Sequence, residues 1–201
     1  FQGQADPPLD EVGRAQAYEV ASLIAALRPE LLVSSDAARA LQTAEIVGDV
    51  VALPVVKEPR LRERNLGHWE GLTREEVADR YPDEYADWMA GLDVSRRGGE
   101  TRNEVAERAS AAWAELPVTG TAVLVTHSAT AMALTNSLLG IAQAVHPLGP
   151  LANCHWSELY AEPVAGGAMA WRLRGHNLGV PGTVVPLPAR SDADDASDAD
   201  A

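Results

Sequence analysis

Residues 31–44 read LLVSSDAARALQTA, and residues 121–134 read TAVLVTHSATAMAL. In each stretch, an apolar run of strand length is followed, after one or two polar residues, by apolar residues at helical spacing. Continuous apolar runs of this kind are typical of strands that are buried on both faces of a parallel sheet. We therefore predict a strand and then a helix in each stretch, with Ser35 or Asp36 as the N-cap of the first helix.

The remaining sequence continues the alternation of helices and strands. Further helices are predicted over 9–27, 73–80, 82–90 and 101–116, and further strands over 54–56, 156–161 and 169–173. This alternation indicates an α/β fold with a mainly parallel central sheet and helices on both faces. Residues 1–178 are therefore predicted to form one domain. The Pro-rich stretch and acidic tail over 179–201 have no means of burying a core, and we expect disorder there.

The composition narrows the classes of protein to which the chain can belong. Its 201 residues carry a net charge of -13, which argues against non-specific binding to nucleic acid. No apolar run approaches the ~18 residues that span a bilayer, so no membrane partner is predicted. Cys154 is the only cysteine, and the five histidines show no metal-ligand spacing. We therefore expect no disulfide, no metal and no cofactor, in a protein of the reducing cytoplasm.

Polar residues follow the two predicted central strands at their carboxyl ends, where parallel sheets bind ligands. Arg39 lies in the first turn of the helix after Ser35, so its guanidinium and the helix N-terminus favour an oxyanion such as phosphate. Alternatively, Arg39 covers surface or pairs with Asp36. His127 follows the second strand directly and is a candidate acid, base or phosphate ligand. The alternative is a core histidine held by neighbouring backbone.

Two charged segments and one serine are weaker candidates for chemistry. Glu63 lies among arginines in LRERNLGHWEG (61–71) and could donate a proton, although an exposed charged turn explains the same pattern. Arg97, in RRGGET (96–101), could attract a small anion or belong to a solvated loop. Ser128 suggests a serine hydrolase, but its flanking sequence lacks the two glycines of a nucleophile elbow, which argues against that class.

Six segments, in order along the chain, resemble the histidine phosphatase superfamily, also called the phosphoglycerate mutase-like family. They are FQGQADPPLDEVGRAQA (1–17), LVSSDAARALQTA (32–44), LRERNLGHWEGLT (61–73), GGETRNEVAER (98–108), LVTHSA (124–129) and NCHWSELY (153–160). The resemblance spans nearly all of the predicted domain and implies the phosphoglycerate mutase-like fold. It also implies that Arg39 clamps the transferred phosphoryl group, that Glu63 is the general acid and that His127 supports the same phosphate.

The resemblance implies a second group of residues at the substrate. Gln2 and Gly3 fall in a segment that helps to bind substrate in relatives, with Gly3 suited to a contact through exposed backbone. Because the chain is acidic overall, the positive field for phosphate has to be local, and Arg62 and Arg97 are candidates for supplying part of it. Ser128 follows the second family histidine, where relatives usually carry glycine, so it would restrict the backbone beside the phosphate.

The largest departure from the family is at the start of the chain. Relatives open with a strand that ends in Arg-His-Gly, and the histidine of this motif is the nucleophile. The 201 residues contain no such motif. We therefore expect that the first strand of the sheet and the nucleophile are missing, and that the chain is truncated upstream of Phe1.

The resemblance implies a metal-independent phosphomonoester phosphatase that forms a phosphohistidine intermediate. A non-catalytic phosphate-binding or interaction module is the alternative suggested by the missing nucleophile. A phosphoglycerate mutase is a further alternative, but mutases carry a longer insertion than the span between Glu63 and Gly99 provides. The segments at 61–73 and 98–102 are similar to those of phosphatases of sugar or glucosyl-glycerate phosphates, so a small phosphorylated sugar or glycerate is the expected substrate. Homodimer formation stays open.

Overall fold

The computed structural model describes residues 1–145 and 147–180. Its helices are α1 (Glu11–Ala26), α2 (Ala38–Val51), α3 (Arg74–Arg80), α4 (Pro82–Met89), α5 (Arg102–Glu115) and α6 (Ser128–Leu139). Its strands are β1 (Leu31–Ser34), β2 (Val55–Lys57), β3 (Ala122–Val125), β4 (Trp156–Pro163) and β5 (Met169–Leu178). Each predicted helix and strand is present, and β4 and β5 are longer than predicted. None of the described helices is long and apolar enough to cross a membrane. Most of the tail for which we expect disorder, residues 181–201, lies outside the described residues.

The three central strands run parallel in the order β2-β1-β3. Leu32 of β1 is aligned with Val55 of β2 on one side and with Val123 of β3 on the other. This confirms the predicted parallel sheet. Because the strands run in one direction, the carboxyl ends of β1 and β3 meet at the same edge, with Ser34 beside Val125. The polar residues that follow these two strands are therefore neighbours.

Helices cover both faces of this sheet, as the sequence predicts. Leu32 packs in one core cluster with Val20 of α1 and Val47 of α2. Val33, the next residue of β1, packs in a second cluster with Ala112 of α5. Successive side chains of a strand point to opposite faces, so the continuous apolar run of β1 supplies both cores.

A cavity separates the central sheet from the antiparallel pair β4-β5. Within the described residues, the outer edge of β3 pairs with no strand, and β4 pairs only with β5. Both edges line one cavity of about 970 Å³. Apolar side chains line its walls, among them Val20 of α1, Leu134 of α6 and Trp156 of β4. The lining extends from Ala122 at the start of β3 to His127 beyond its end. The cavity therefore connects two open strand edges with the polar carboxyl ends of the central strands.

The start of α2 differs from the prediction. Its N-cap is Ala37, which makes no side-chain capping hydrogen bond, so neither Ser35 nor Asp36 is the N-cap. Both of those side chains are held by tertiary contacts, which a local capping pattern does not reveal. The carboxylate of Asp6 accepts a hydrogen bond from the N–H of Ala38 (2.6 Å) instead. The first N–H groups of this helix are thus partly satisfied by the N-terminal segment rather than left open to an anion.

Candidate active site

Three side chains selected from the sequence, Arg39, Glu63 and His127, line the same cavity. Arg39 is in the first turn of α2, and His127 is the N-cap of α6, so both lie just beyond the carboxyl ends of parallel strands. Glu63 follows a short 3₁₀ turn at Pro59–Leu61. The cavity wall also contains Gln2, Gly3 and Ser128. A guanidinium, an imidazole and a carboxyl group therefore face one hollow.

The N-terminal segment anchors Arg39. The guanidinium of Arg39 donates hydrogen bonds to the carbonyl oxygens of Gly3 (3.0 Å) and Ala5 (2.6 Å). Asp36 is not its partner, because that carboxylate accepts two hydrogen bonds of 2.7 Å from Arg62. Arginine has five N–H donors and keeps its charge, so Arg39 retains donors for an anion in the cavity.

Hydrogen bonds hold Glu63 at the N-terminus of α6. Its carboxyl oxygens accept from the backbone N–H groups of Arg64 (2.8 Å) and Ala129 (3.3 Å). Its backbone carbonyl accepts from the side chains of Gln4 (3.1 Å) and Arg108 (3.2 Å). Side chain and backbone are therefore both fixed, which places the carboxyl group in the cavity wall, and no residue of 1–145 or 147–180 forms a salt bridge with it.

His127 is mostly buried and is disfavoured as a cation. Burial, together with the positive charges of Arg39 and Arg108, lowers the pKa of His127 to about 4. Ring atom Nε2 lies 3.0 Å from Oγ of Ser35. At pH 7 the imidazole is therefore neutral and is held by a serine hydroxyl at the end of the neighbouring strand.

Comparison with known proteins identifies the family to which these features belong. The family model described as the histidine phosphatase superfamily (branch 1) matches residues 1–173. The chain belongs to the histidine phosphatase superfamily. The resemblance expected from the six sequence segments is thereby confirmed.

Curated relatives and the solved structure of a related protein agree with that membership. A glucosyl-3-phosphoglycerate phosphatase of Mycolicibacterium vanbaalenii is 37% identical over 194 residues, covering 86% of this chain and 84% of that protein. The protein of the same name from Mycobacterium tuberculosis is 36% identical over 188 residues, with the same coverage. The mycobacterial glucosyl-3-phosphoglycerate phosphatase solved with inorganic phosphate has a TM-score of 0.80 at 34% identity, covering 90% of this chain and 92% of that chain. The phosphoglycerate mutase-like fold expected from the sequence is confirmed.

Two arginines selected from the sequence lie outside the cavity of this histidine phosphatase. Arg62 is held by the carboxylate of Asp36. Arg97 is 1% exposed and lies over the ring of Trp69, 5.6 Å from its centroid. Neither lines the cavity wall, contrary to the expectation that they supply local positive charge there. Arg108, which the sequence analysis did not select, lowers the pKa of the site histidine and so contributes positive charge instead.

Ser35 and Arg108 are two site contacts that the sequence analysis did not select as functional. Ser35 touches the ring of His127, and Arg108 donates to the backbone of Glu63. Ser35 had a recognisable signal, because it follows a buried central strand directly. No local sequence pattern marks Arg108 as a site residue, because its side chain contacts Glu63 only when α5 packs beside that residue.

The low pKa of His127 predicts a pH dependence of stability. Between about pH 4 and 6.5 the unfolded chain binds this proton more readily than the folded chain, so the free energy of unfolding rises with pH. Over this pH range the free energy of unfolding rises by at most roughly 3 kcal/mol. We expect His127→Gln to flatten the rise when urea unfolding is measured between pH 4.5 and 7. A His68→Gln variant, changed at a partly exposed histidine, is the control; equal slopes in wild type and His127→Gln would contradict the assignment.

Gly3 is predicted to tolerate no side chain. Its φ is +52°, and a Cβ there would overlap the carboxylate of Glu70, which accepts hydrogen bonds from the N–H groups of Gln4 and Leu66. Gly3→Ala should lower the free energy of unfolding by about 2 kcal/mol or more, from backbone strain plus the overlap. Gly71 has φ +82° and open space around it. Gly71→Ala should therefore cost only about 1 kcal/mol in the same urea titration, and equal losses would refute the overlap.

Proposed function

We propose that the protein is a metal-independent phosphomonoester phosphatase that transfers the phosphoryl group through a phosphohistidine intermediate. The observation that supports this most directly is that Arg39, Glu63 and His127 line one cavity at the carboxyl ends of parallel strands. A guanidinium and an imidazole beside a carboxyl group offer charge for a phosphate and a proton for a leaving group. The phosphatase names of the mycobacterial relatives support the same class of reaction.

Each of the three side chains has a distinct task in the proposed reaction. Arg39 and His127 hydrogen-bond the non-bridging phosphate oxygens and offset the charge that develops on them. A histidine nitrogen attacks phosphorus in line, the P–O ester bond breaks, and protonated Glu63 gives its proton to the leaving oxygen. Water then attacks the phosphohistidine while the Glu63 carboxylate takes a proton from it, which releases phosphate and restores the histidine.

The 201 residues contain no Arg-His-Gly motif, and for this scheme we propose a nucleophilic histidine on a further strand. We propose that an additional strand, ending in Arg-His-Gly, fills the cavity between β3 and β4. The support is the pair of unpaired strand edges that face this cavity and the apolar side chains that line it. Residues beyond the carboxyl end of such a strand would lie beside His127 if it runs parallel to β3. The added strand would thus complete the sheet and supply the nucleophile together.

The proposed substrate is a small sugar or glycerate phosphate, with glucosyl-3-phosphoglycerate the first compound to test, and the proposed site of action is the cytoplasm. Both mycobacterial relatives carry the name of that substrate. The lining of the cavity also contains polar groups that suit hydroxyls, namely Asp10, Asn153 and His155. Polar lining groups together with the Arg39 guanidinium fit an ester whose leaving group is itself hydrophilic.

A panel of phosphomonoesters tests the function. The protein extended at its N-terminus by a strand that ends in Arg-His-Gly should hydrolyse glucosyl-3-phosphoglycerate with a higher kcat/KM than aryl phosphates. Arg39→Gln should lower kcat/KM at least ~100-fold, whereas Arg62→Gln, a matched loss of an arginine outside the cavity, should change it less than about threefold. Phosphate binding without turnover would favour the non-catalytic module. Isomerisation of 3-phosphoglycerate would favour the mutase.

A further inference from the structure

The hydroxyl of Ser35 links the residues that follow the carboxyl ends of β1 and β3. Ser35 follows β1 and is fully buried, with 0% of its surface exposed. Its Oγ accepts a hydrogen bond from the N–H of Ala37 (3.3 Å) and lies 3.0 Å from Nε2 of His127. Among the described residues, the imidazole is the only acceptor within reach of the Ser35 hydroxyl proton.

The position of the imidazole proton follows from counting donors and acceptors. Neutral histidine carries one ring proton, on either Nδ1 or Nε2. If Nε2 carried it, Nε2–H would donate to Oγ, and the buried hydroxyl proton of Ser35 would have no acceptor among the described residues. If Nδ1 carries the proton, the hydroxyl donates to bare Nε2, so both atoms of the Oγ–Nε2 contact are satisfied. Nδ1 is then the donor without a partner among the described residues, and it is not one of their fully buried unpaired atoms.

We propose that Ser35 is a positioning residue that holds His127 in the tautomer protonated at Nδ1, which makes Nδ1–H the ring's donor to a phosphate oxygen. Nδ1 has no hydrogen-bond partner in residues 1–145 and 147–180, and the ring lines the cavity. The tautomer assignment stands on the apo contacts alone. Its use toward phosphate rests on the proposed function.

The charged groups around the ring favour the same neutral donor. Arg39 and Arg108 disfavour a second ring proton, and the opposing influence of Asp6 and Asp36 is smaller. A neutral ring whose Nε2 is occupied by a hydroxyl has one N–H, and its direction is set. The site would therefore present this donor before phosphate arrives, without reorganisation at the moment of reaction.

Neighbouring Ser34 provides a matched control. It is also fully buried, but its hydroxyl donates to the backbone carbonyl of Ser35 (2.8 Å) and not to the ring. Ser34→Ala and Ser35→Ala thus remove the same group from adjacent buried positions. Ser35→Thr restores a hydroxyl at the second position.

The test is ¹⁵N NMR of the histidine rings in the 201-residue protein at pH 7, with the His127 signals identified by their loss in His127→Gln. Wild type and Ser34→Ala should show the pattern of a ring protonated at Nδ1. Ser35→Ala should lose that pattern, and Ser35→Thr should regain it. An Nε2-protonated ring in wild type, or an unchanged pattern in Ser35→Ala, would overturn the proposal. The wild-type spectrum decides the matter even where a variant fails to fold.

Titration of inorganic phosphate into the same samples distinguishes a failure of the tautomer assignment from a failure of the proposed phosphatase function. Ser35→Ala should raise the phosphate Kd about 3- to 10-fold, and Ser34→Ala should raise it less than about twofold. Equal Kd values for wild type and Ser35→Ala would refute the role of the donor toward phosphate. A wild-type ring protonated at Nδ1 that binds no phosphate would contradict the phosphatase function while supporting the tautomer assignment.

Discussion

Extension of the chain by a strand that ends in Arg-His-Gly is expected to raise the rate of p-nitrophenyl phosphate hydrolysis at least ~10³-fold over that of the 201-residue protein. In the proposed mechanism Arg39 and His127 bind the charge of the phosphate and Glu63 transfers the proton, but the reaction also needs a nucleophile held in line with phosphorus. A correctly placed nucleophile contributes an effective molarity of roughly 10⁵ M or more, so the predicted factor is conservative. The measurement is release of p-nitrophenolate in the presence of a metal chelator.

The same extension should stabilise the fold. Pairing with the open edges of β3 and β4 satisfies backbone groups and fills the apolar cavity between them. The 201-residue protein is therefore expected to melt broadly and to be prone to aggregation on heating, and the extended protein to melt cooperatively at a higher Tm. An extension with alanine in place of the motif histidine is the control, since it should restore Tm but not turnover. Rapid hydrolysis by the 201-residue protein alone would contradict the assignment of the nucleophile.

Glu63→Gln in the extended protein is expected to lower kcat by ~10²- to 10⁴-fold, the range typical of a general acid. The amide keeps the shape of the carboxyl group but cannot give up a proton to the leaving oxygen. The effect should depend on the leaving group. An alkyl phosphate needs protonation of its alkoxide and should show the full loss, whereas p-nitrophenolate leaves readily and should show a smaller loss in the first step.

Comparison of the two leaving groups makes the Glu63 prediction specific. Glu107→Gln, which changes an exposed carboxylate on α5, should leave both rates within about twofold of wild type. The phosphate Kd of Glu63→Gln should also stay within about threefold, because the proposed phosphate ligands are Arg39 and His127. An equal loss for alkyl and aryl phosphates would show that Glu63 positions substrate rather than donating a proton.

The sequence was sufficient for the features that depend on local pattern. The apolar runs at 31–33 and 121–126 predicted the parallel strands β1 and β3, and helical spacing after each predicted α2 and α6. Burial was predicted for both strands, and the structure has β1 buried and β3 half-buried along the cavity. The carboxyl ends of parallel strands meet at one edge, so the pattern also predicted that Arg39 and His127 lie at the same edge of the sheet, and both line one cavity. Periodicity and strand direction are properties of the local chain, which is why this part could be predicted.

The amino-acid sequence by itself determined the order of the elements, the parallel sheet and the identity of the three candidate groups. Only the tertiary structure decided which charges face the cavity: Arg62 pairs with Asp36, Arg97 is buried over Trp69, and Ser35 binds the imidazole rather than capping α2. In the first and third of these contacts the partners are 26 and 92 positions apart. A side chain with several acceptors or rings within reach takes the partner that packing brings to it, and packing is not encoded in spacing along the chain.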